Sequence, residues 1–372
     1  MGLQINKPLG GHPWVQLHDL EFNGHDLKNG TAITLYDQAG HSLGSGIFDA
    51  RDPLAAWRRF TWAEDVAFDI DYIVDAMEES VGRRAEEGCQ RLVSSDADYL
   101  PGLIVELYGD VLLVSVENAA VEAQLDAILE VLKEGYSPRE IVVRNNSPLR
   151  AAFDLESSVR TVSGNNLKGY WIEIDDLSYR IDLLNTEKPC FYLDQREQHA
   201  LVGSLCIGRK VLDGFSNVGA FALQAMRNEA ESVVAIDTNE MAVKVIGAIA
   251  QKNELLIEAV QADVGNYLST CEPGAFGVII LDPPAEYSSD FEVLSALIRQ
   301  AFSILPSGGV IATYCRSPHV TAQDFDHVVA EAAASVGREG RIFARIGQPF
   351  DFPVLLNLPE SRYLKGLILQ VE

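Results

Sequence analysis

Apolar and polar positions alternate in short runs near the N-terminus. "TAITLYD" (31–37) and "SLGSGIFD" (42–49) are two such runs, separated from their neighbours by "NG", "AG" and "DARDP". Alternation punctuated by turn residues predicts a small all-β module over residues 1–72. The period then lengthens. Ile70, Ile73, Val74, Met77 and Val81 fall at helical spacing within "DIDYIVDAMEESVGRRAEEG". "GLIVELYG" and "VLLVSVEN" read as strands, "VEAQLDAILEVLKEG" as a helix and "EIVVRNN" as a strand. These make a compact α+β block over 73–180. "WIEIDDLSYRIDLL" predicts a hairpin with its turn near Asp176. From about residue 209, apolar strands alternate strictly with helices: "KVLDGF", "SVVAIDT", "EAVQAD", "FGVIILDPP", "GVIATYC" and "YLKGLILQV" are the strands. Near-continuous apolar strands imply a parallel sheet covered on both faces, so the fold class of 181–372 is α/β.

Composition narrows the function classes. The chain has 372 residues, 47% of them hydrophobic, enough for two or three cored domains. No apolar run approaches the ~20 residues of a membrane span, so no membrane partner is expected. The N-terminus shows no charged segment followed by an apolar one, and the expectation is a cytoplasmic protein. Cys89, Cys190, Cys206, Cys271 and Cys315 form no C-x-x-C pair, which speaks against disulfides or zinc. His12, His18, His25 and His41 show no metal-ligand spacing, and no metal is expected. The net charge is −25. Phosphate contacts are made by Lys and Arg, so this charge opposes avid nonspecific RNA binding without excluding a local basic patch. Trp57, Arg58, Arg59 and Trp62 form one candidate patch, and Arg338, Arg341 and Arg345 another. Burial or solvation is the competing explanation for both. A homodimer is left open.

Parallel α/β sheets bind ligands at the carboxyl ends of their strands. The first strand runs into "DGFSNVGAF", with Asp213, Phe215, Ser216, Asn217 and Gly219 in a turn of small and polar residues. Such a turn lets a ligand approach backbone N–H donors at a helix start. It is not G-x-G-x-x-G. The second strand ends in Asp237 and Thr238, where an acid can accept both hydroxyls of a ribose. The third ends in Asp263 and Val264, and this acid can accept from an adenine amino group. The fourth ends in "DPP", with Asp282. One such acid alone is more simply a helix cap. Four at successive strand ends point to an adenosine-type cofactor, and no strand end offers a phosphate-binding Lys. That favours S-adenosylmethionine.

"KPCFYLDQREQ" (188–198), "LDGFSNVGAFA", "AIDTNE", "LDPPA" and the terminal "GQPFDFPVLLNLPESRYLKGLILQV" together resemble the bacterial class I rRNA large-subunit cytosine-C5 methyltransferases. The resemblance covers essentially the whole chain. It implies a PUA-like β-barrel at 1–72, a candidate RNA-binding module, a central α+β domain at 73–180, and a Rossmann-like S-adenosylmethionine-dependent methyltransferase domain at 181–372. It further implies that Tyr192, Gln195 and Arg196 help close the cofactor pocket, and that ribosomal RNA is the partner.

The family commonly reads T-C-S-C-S-H-H where this chain reads "TYCRSPH" (313–319). Thr313, Ser317 and His319 match, Tyr314 and Arg316 stand at the two family cysteine positions, and Cys315 takes the serine between them. The family's R-G-Y-K-like stretch after D-P-P is also absent. Methylation of cytosine C5 uses a thiolate that adds to C6. The candidate catalytic residues are therefore Cys315, Asp282 and Arg316. A one-residue shift in a strand points a side chain to the opposite face, which would send Cys315 into the packing and Arg316 into the site. Two rival readings stand: an exocyclic-amine methyltransferase using D-P-P, and a cofactor- or RNA-binding protein whose active site has decayed.

Overall fold

A computed structural model describes residues 2–6, 10–22, 27–84, 88–167, 169–184, 191–288 and 290–372. The chain divides into two compact units, the first comprising 1–168, 183–185 and 350–361, the second 169–182, 186–349 and 362–372.

The first unit holds two sheets. Trp14–Val15, Trp57–Thr61, Ser42–Phe48, Thr31–Tyr36, Gly2–Ile5 and Leu20–Glu21 lie side by side in that order. The alternation read from the sequence turns Leu3, Ile5, Val15, Leu35, Phe48 and Trp57 into a common core. The second sheet orders Ser158–Thr161, Glu140–Asn145, Val111–Val116, Leu103–Tyr108 and Gln90–Ser94. Helix Ile70–Gly82 starts where Asp69 accepts the Tyr72 N–H, and buries Ile73, Ala76 and Met77, the face its spacing predicts. Helix Leu125–Tyr136 supplies Ile128, Leu129 and Leu132 to the same core.

The second unit opens with the hairpin Tyr170–Ile174 and Leu177–Ile181. Asp175 and Asp176 turn it in the left-handed region, at φ 51° and 57°. Seven strands form the main sheet: β1 (Lys210–Gly214), β2 (Ser232–Asp237), β3 (Glu258–Gln261), β4 (Val278–Leu281), β5 (Val310–Arg316), β6 (Gly340–Ile346) and β7 (Leu364–Val371). Their spatial order is β3-β2-β1-β4-β5-β7-β6. The first five pair in parallel, as their apolar runs predict. β7 departs from that expectation by running antiparallel to both β5 and β6. It enters from residues 347–363, which contain no crossover helix to bring the chain back to the other end of the sheet. β6 carries no continuous apolar run and is mostly exposed, so the hydrophobic pattern did not reveal it. Gly366 lies opposite Tyr314, and a Cβ there would stand 2.6 Å from the tyrosine ring. Among the described residues, no helix is long and apolar enough to cross a membrane.

Successive residues of each strand feed two cores. Ile279, Leu281, Ile311 and Cys315 pack with Leu294, Ile298, Phe325 and Val329 on one face. Val278, Ile280, Val310, Ala312 and Tyr314 pack with Phe221, Ala222 and Ile246 on the other.

Candidate active site

The order β3-β2-β1-β4 brings four acids to one end of the sheet: Asp263 beyond β3, Asp237 closing β2, Asp213 in β1, and Asp282 just after β4. The turn after β1 is built for close approach. Phe215, Asn217 and Gly219 all take left-handed φ, at 65°, 51° and 77°. A Cβ on Gly219 would sit 3.1 Å from Ile246. Ser216 fixes the turn: its hydroxyl donates to the Asp213 carbonyl at 2.6 Å and accepts the Ile236 N–H at 2.9 Å. Phe215 stacks edge-on against Tyr287, with centroids 5.6 Å apart.

Asp213 is fully enclosed. One carboxyl oxygen accepts the Ala222 N–H at 3.2 Å and the other, also buried, has no partner. Burial pushes its pKa up to about 8, the Ala222 and Ser216 hydrogen bonds oppose the rise, and the nearby charges of Asp282 and Asp237 add to it. Asp237 is half-buried. Its two oxygens accept the Asn217 N–H at 2.9 Å and the Asn239 N–H at 2.8 Å. It therefore ties the first turn to the second while keeping acceptor capacity toward solvent. Thr238 is exposed, and its carbonyl accepts from the Gln261 amide at 3.1 Å. Asp263 caps helix Val264–Ser269 by accepting the Asn266 N–H at 2.8 Å, and Val264 is buried beneath it.

Asp282 meets Arg316 at the end of β5. The guanidinium reaches both Asp282 oxygens, each at 3.2 Å, and both Asp194 oxygens, at 2.8 and 3.3 Å. The ring of Tyr192 covers it, 4.1 Å from the guanidinium carbon, and Tyr363 donates its hydroxyl to Asp194 at 2.7 Å. Burial pushes the Asp282 carboxyl up, and Arg316 is the main opposing influence. The Gln195 amide is fully buried, lies near Asp282 and completes no hydrogen bond of normal geometry. Arg196 is half-buried at the start of helix Arg196–Ser204.

Cys315 does not join this group. Alternation along β5 turns its thiol to the face opposite Tyr314, where it is fully buried among Ile311, Leu367 and their neighbours. Burial pushes the thiol up to about 11, and Lys365 only partly opposes it. The expectation of a catalytic Cys315 thus fails in this geometry, because a buried thiol of that basicity is neither ionised nor aimed at the acids. Cys190, with Lys188 and Pro189, lies outside the described residues.

The basic patches also need correction. Trp57 is core, and Arg58 is buried in ion pairs with Asp96 and, at 3.3 Å, Asp52. Arg59 is buried, and its guanidinium stacks 3.5 Å from the ring of Trp62, the one member of the cluster that is 55% exposed. Arg345 pairs with Asp326, Arg341 with Glu372, and Arg338 donates to the Leu305 carbonyl. His25 lies outside the described residues, and no group of potential metal ligands occurs among the described ones.

Sequence reasoning missed Asp194 and Tyr363. Both sit inside quoted stretches, "FYLDQR" and "ESRYLKG", yet nothing in either stretch says that they meet. The assembled donor set fits S-adenosylmethionine. One buried oxygen of Asp213 completes no hydrogen bond, the turn leaves room for close approach, and the Arg316 guanidinium is already paired with two carboxylates.

Comparison with known proteins agrees. Residues 5–59 match the model of a PUA-like domain and 199–335 that of the methyltransferase small domain. "Ribosomal RNA large subunit methyltransferase I" of Aeromonas salmonicida is 28% identical over 96% of this chain and 95% of its own. The protein of that name from Escherichia coli is 25% identical over 97% and 95%. Among solved structures, a candidate SAM-dependent methyltransferase from Streptococcus mutans superposes with a TM-score of 0.84 at 21% identity, covering 100% of both chains. A second, described as a candidate methyltransferase complexed with SAH, gives 0.83 at 20%, covering 100% of this chain and 99% of its own. The fold is therefore an N-terminal PUA-like domain with a C-terminal Rossmann-like methyltransferase domain.

Proposed function

We propose that this chain is an S-adenosylmethionine-dependent methyltransferase that modifies a base of ribosomal RNA. The observation that carries this reading is the row of acids Asp213, Asp237, Asp263 and Asp282 at the ends of adjacent strands. Full-length similarity to rRNA large-subunit methyltransferases supplies the substrate class.

Asp237 accepts the ribose hydroxyls, a charge-assisted interaction. Asp263 accepts the adenine amine with the acceptor capacity its helix cap leaves. Phe215, Ser216, Asn217 and Gly219 shape the turn that admits the ligand, and Tyr192, Gln195 and Arg196 close the pocket beside Asp282. When bound, S-adenosylmethionine supplies an electrophilic methyl group on a sulfonium cation. The acidic surround favours that cation over its neutral product. The residues mainly position the acceptor, because in-line transfer depends chiefly on orientation. The PUA-like domain presents the RNA, with Trp62 as a base-stacking surface.

The test is transfer of labelled methyl from S-adenosylmethionine to large-subunit ribosomal RNA, followed by nucleoside analysis. Incorporation into a base is expected. Intact cofactor binding with no transfer to RNA would favour a decayed site and overturn the proposal. The resemblance to cytosine-C5 enzymes points to C5 as the acceptor atom, but that route needs a thiol beside the base, and position 316 holds an arginine.

A further inference from the structure

Arg316 stands at a family cysteine position and has every guanidinium nitrogen engaged. Nε and Nη2 hold Asp282, Nη1 and Nη2 hold Asp194, and Tyr192 covers the face. A side chain so committed is not a spare phosphate contact. It is a bidentate clamp on two carboxylates, a task for which Lys has no equivalent geometry. Arg316 takes one position on each Asp282 oxygen, and a carboxylate oxygen has a second. Asp282 is therefore an oriented, acceptor-only group at a strand end. What such a group recognises is an N–H donor.

We propose that this site transfers methyl directly to an exocyclic amino group of an RNA base, with Asp282 accepting an amino N–H and Arg316 acting as the positioning residue that holds Asp282. The proposal rests on the methyltransferase reading above and names its acceptor. Three features carry it. Cys315 is on the far face of β5, packed in the core. Of the other described thiols in this unit, Cys206 is buried in the core with Val211 and Phe221, and Cys271, just after helix Val264–Ser269, packs against the core and donates to the Tyr267 carbonyl. The clamped carboxylate supplies what an amine needs and what C5 does not. Accepting an amino N–H draws the nitrogen lone pair out of conjugation with the ring. That lone pair forms the N–C bond to the sulfonium methyl. The C–S bond breaks with its electron pair going to sulfur, and the surplus N–H proton passes to Asp282 and then to water. No protein–base bond forms, and no second base is needed to strip a proton from C5.

Three measurements test this. Nucleoside mass analysis of ribosomal RNA methylated by the unmodified protein is expected to show an N-methylated base. 5-Methylcytosine would overturn the proposal and leave the methyltransferase reading standing, whereas no methylated base at all would overturn both. RNA containing 5-fluorocytidine, incubated with protein and S-adenosylmethionine, is expected to give no covalent adduct on a denaturing gel. An adduct abolished by Cys190→Ser or Cys315→Ser would overturn the proposal and identify the thiol. Arg316→Lys and Arg316→Gln are expected to keep S-adenosylmethionine affinity by calorimetry within about twofold while turnover falls about 100-fold, the scale of a lost acid–base arrangement. In Arg316→Gln the acid limb of the kcat–pH profile moves to higher pH, because Asp282 loses the cation that opposes its burial. An unmoved limb, or affinity and turnover falling in parallel, would reduce Arg316 to a structural ion pair and overturn its positioning role.

Discussion

Burial favours the neutral form of Asp213 in the folded protein. The residue is 1% exposed and one oxygen has no partner, so burial, ahead of every other influence, lifts its pKa from 3.8 to about 8. In the unfolded chain the group ionises near its ordinary value. The folded state therefore binds one more proton than the unfolded state between those two values, and stability falls as pH rises through the interval. At about 1.4 kcal/mol per pH unit, full ionisation costs roughly 6 kcal/mol, of which about 4 kcal/mol falls between pH 5 and pH 8. Asp213→Asn keeps an acceptor for the Ala222 N–H and removes the titration. Urea unfolding of both proteins at half-unit intervals from pH 5 to pH 8 measures the difference. The unmodified protein is expected to lose about 4 kcal/mol relative to the variant across that range. A gap between the two that stays constant with pH would refute the neutral acid. A cationic ligand near Asp213 lowers its pKa, so S-adenosylmethionine binding at pH 7 is expected to release a proton. Calorimetry in buffers of different ionisation enthalpy reads that release.

Asp237→Ala is expected to weaken S-adenosylmethionine binding by about 2–4 kcal/mol, measured by calorimetry, because a charged acceptor for two hydroxyls is lost. Asp237→Asn loses less, since its one amide oxygen can still accept one of the two N–H groups, of Asn217 or Asn239, that the carboxylate holds. Cys315→Ser places a hydroxyl in an apolar cluster and is expected to destabilise the fold by about 1–3 kcal/mol in urea titration. Its turnover per folded molecule stays near that of the unmodified protein, and loss of turnover at full folding would return the thiol to the mechanism. Trp62→Ala is expected to weaken RNA binding by about 1–3 kcal/mol at fixed salt, the scale of one base–aromatic stack. Unchanged affinity in filter binding would remove Trp62 from the RNA surface.

Periodicity made the helices and the parallel strands legible because each buries one face or both. The spacing of Ile70, Ile73 and Met77 gave helix Ile70–Gly82, and the apolar runs of β1, β2, β4 and β5 gave the central sheet. β6 escaped because an edge strand with an exposed face has no burial to record. The reversed direction of β7 escaped for a different reason: direction is a property of the connection, and an apolar octet reads the same either way. The acids were legible as strand-end residues, since the sheet puts all such ends on one side. Their partners were not. Asp194 and Arg316 are 122 residues apart, and only the fold brings their charges together.

Position 315 shows where sequence reasoning reaches its resolution. Cysteine, arginine and tyrosine occupy three consecutive positions, and which of them enters the site depends on strand register alone. Pairing of β5 with β7 is unbroken from Val310 through Arg316, so alternation holds to the strand end and no bulge returns Cys315 to the acids. Tyr314 and Arg316 share a face. Tyr314 fills it next to Phe221, and Arg316 extends beyond it to Asp282 and Asp194. Replacing Arg316 by a smaller neutral residue removes the main influence that opposes the burial of Asp282, so this carboxyl gains a proton on folding and acid becomes stabilising. Arg316→Met is therefore expected to melt at progressively lower temperature than the unmodified protein as pH rises from 5 to 8. Parallel melting curves at every pH would mean that Asp194 and Asp282 are held by other groups and that Arg316 is dispensable to the site.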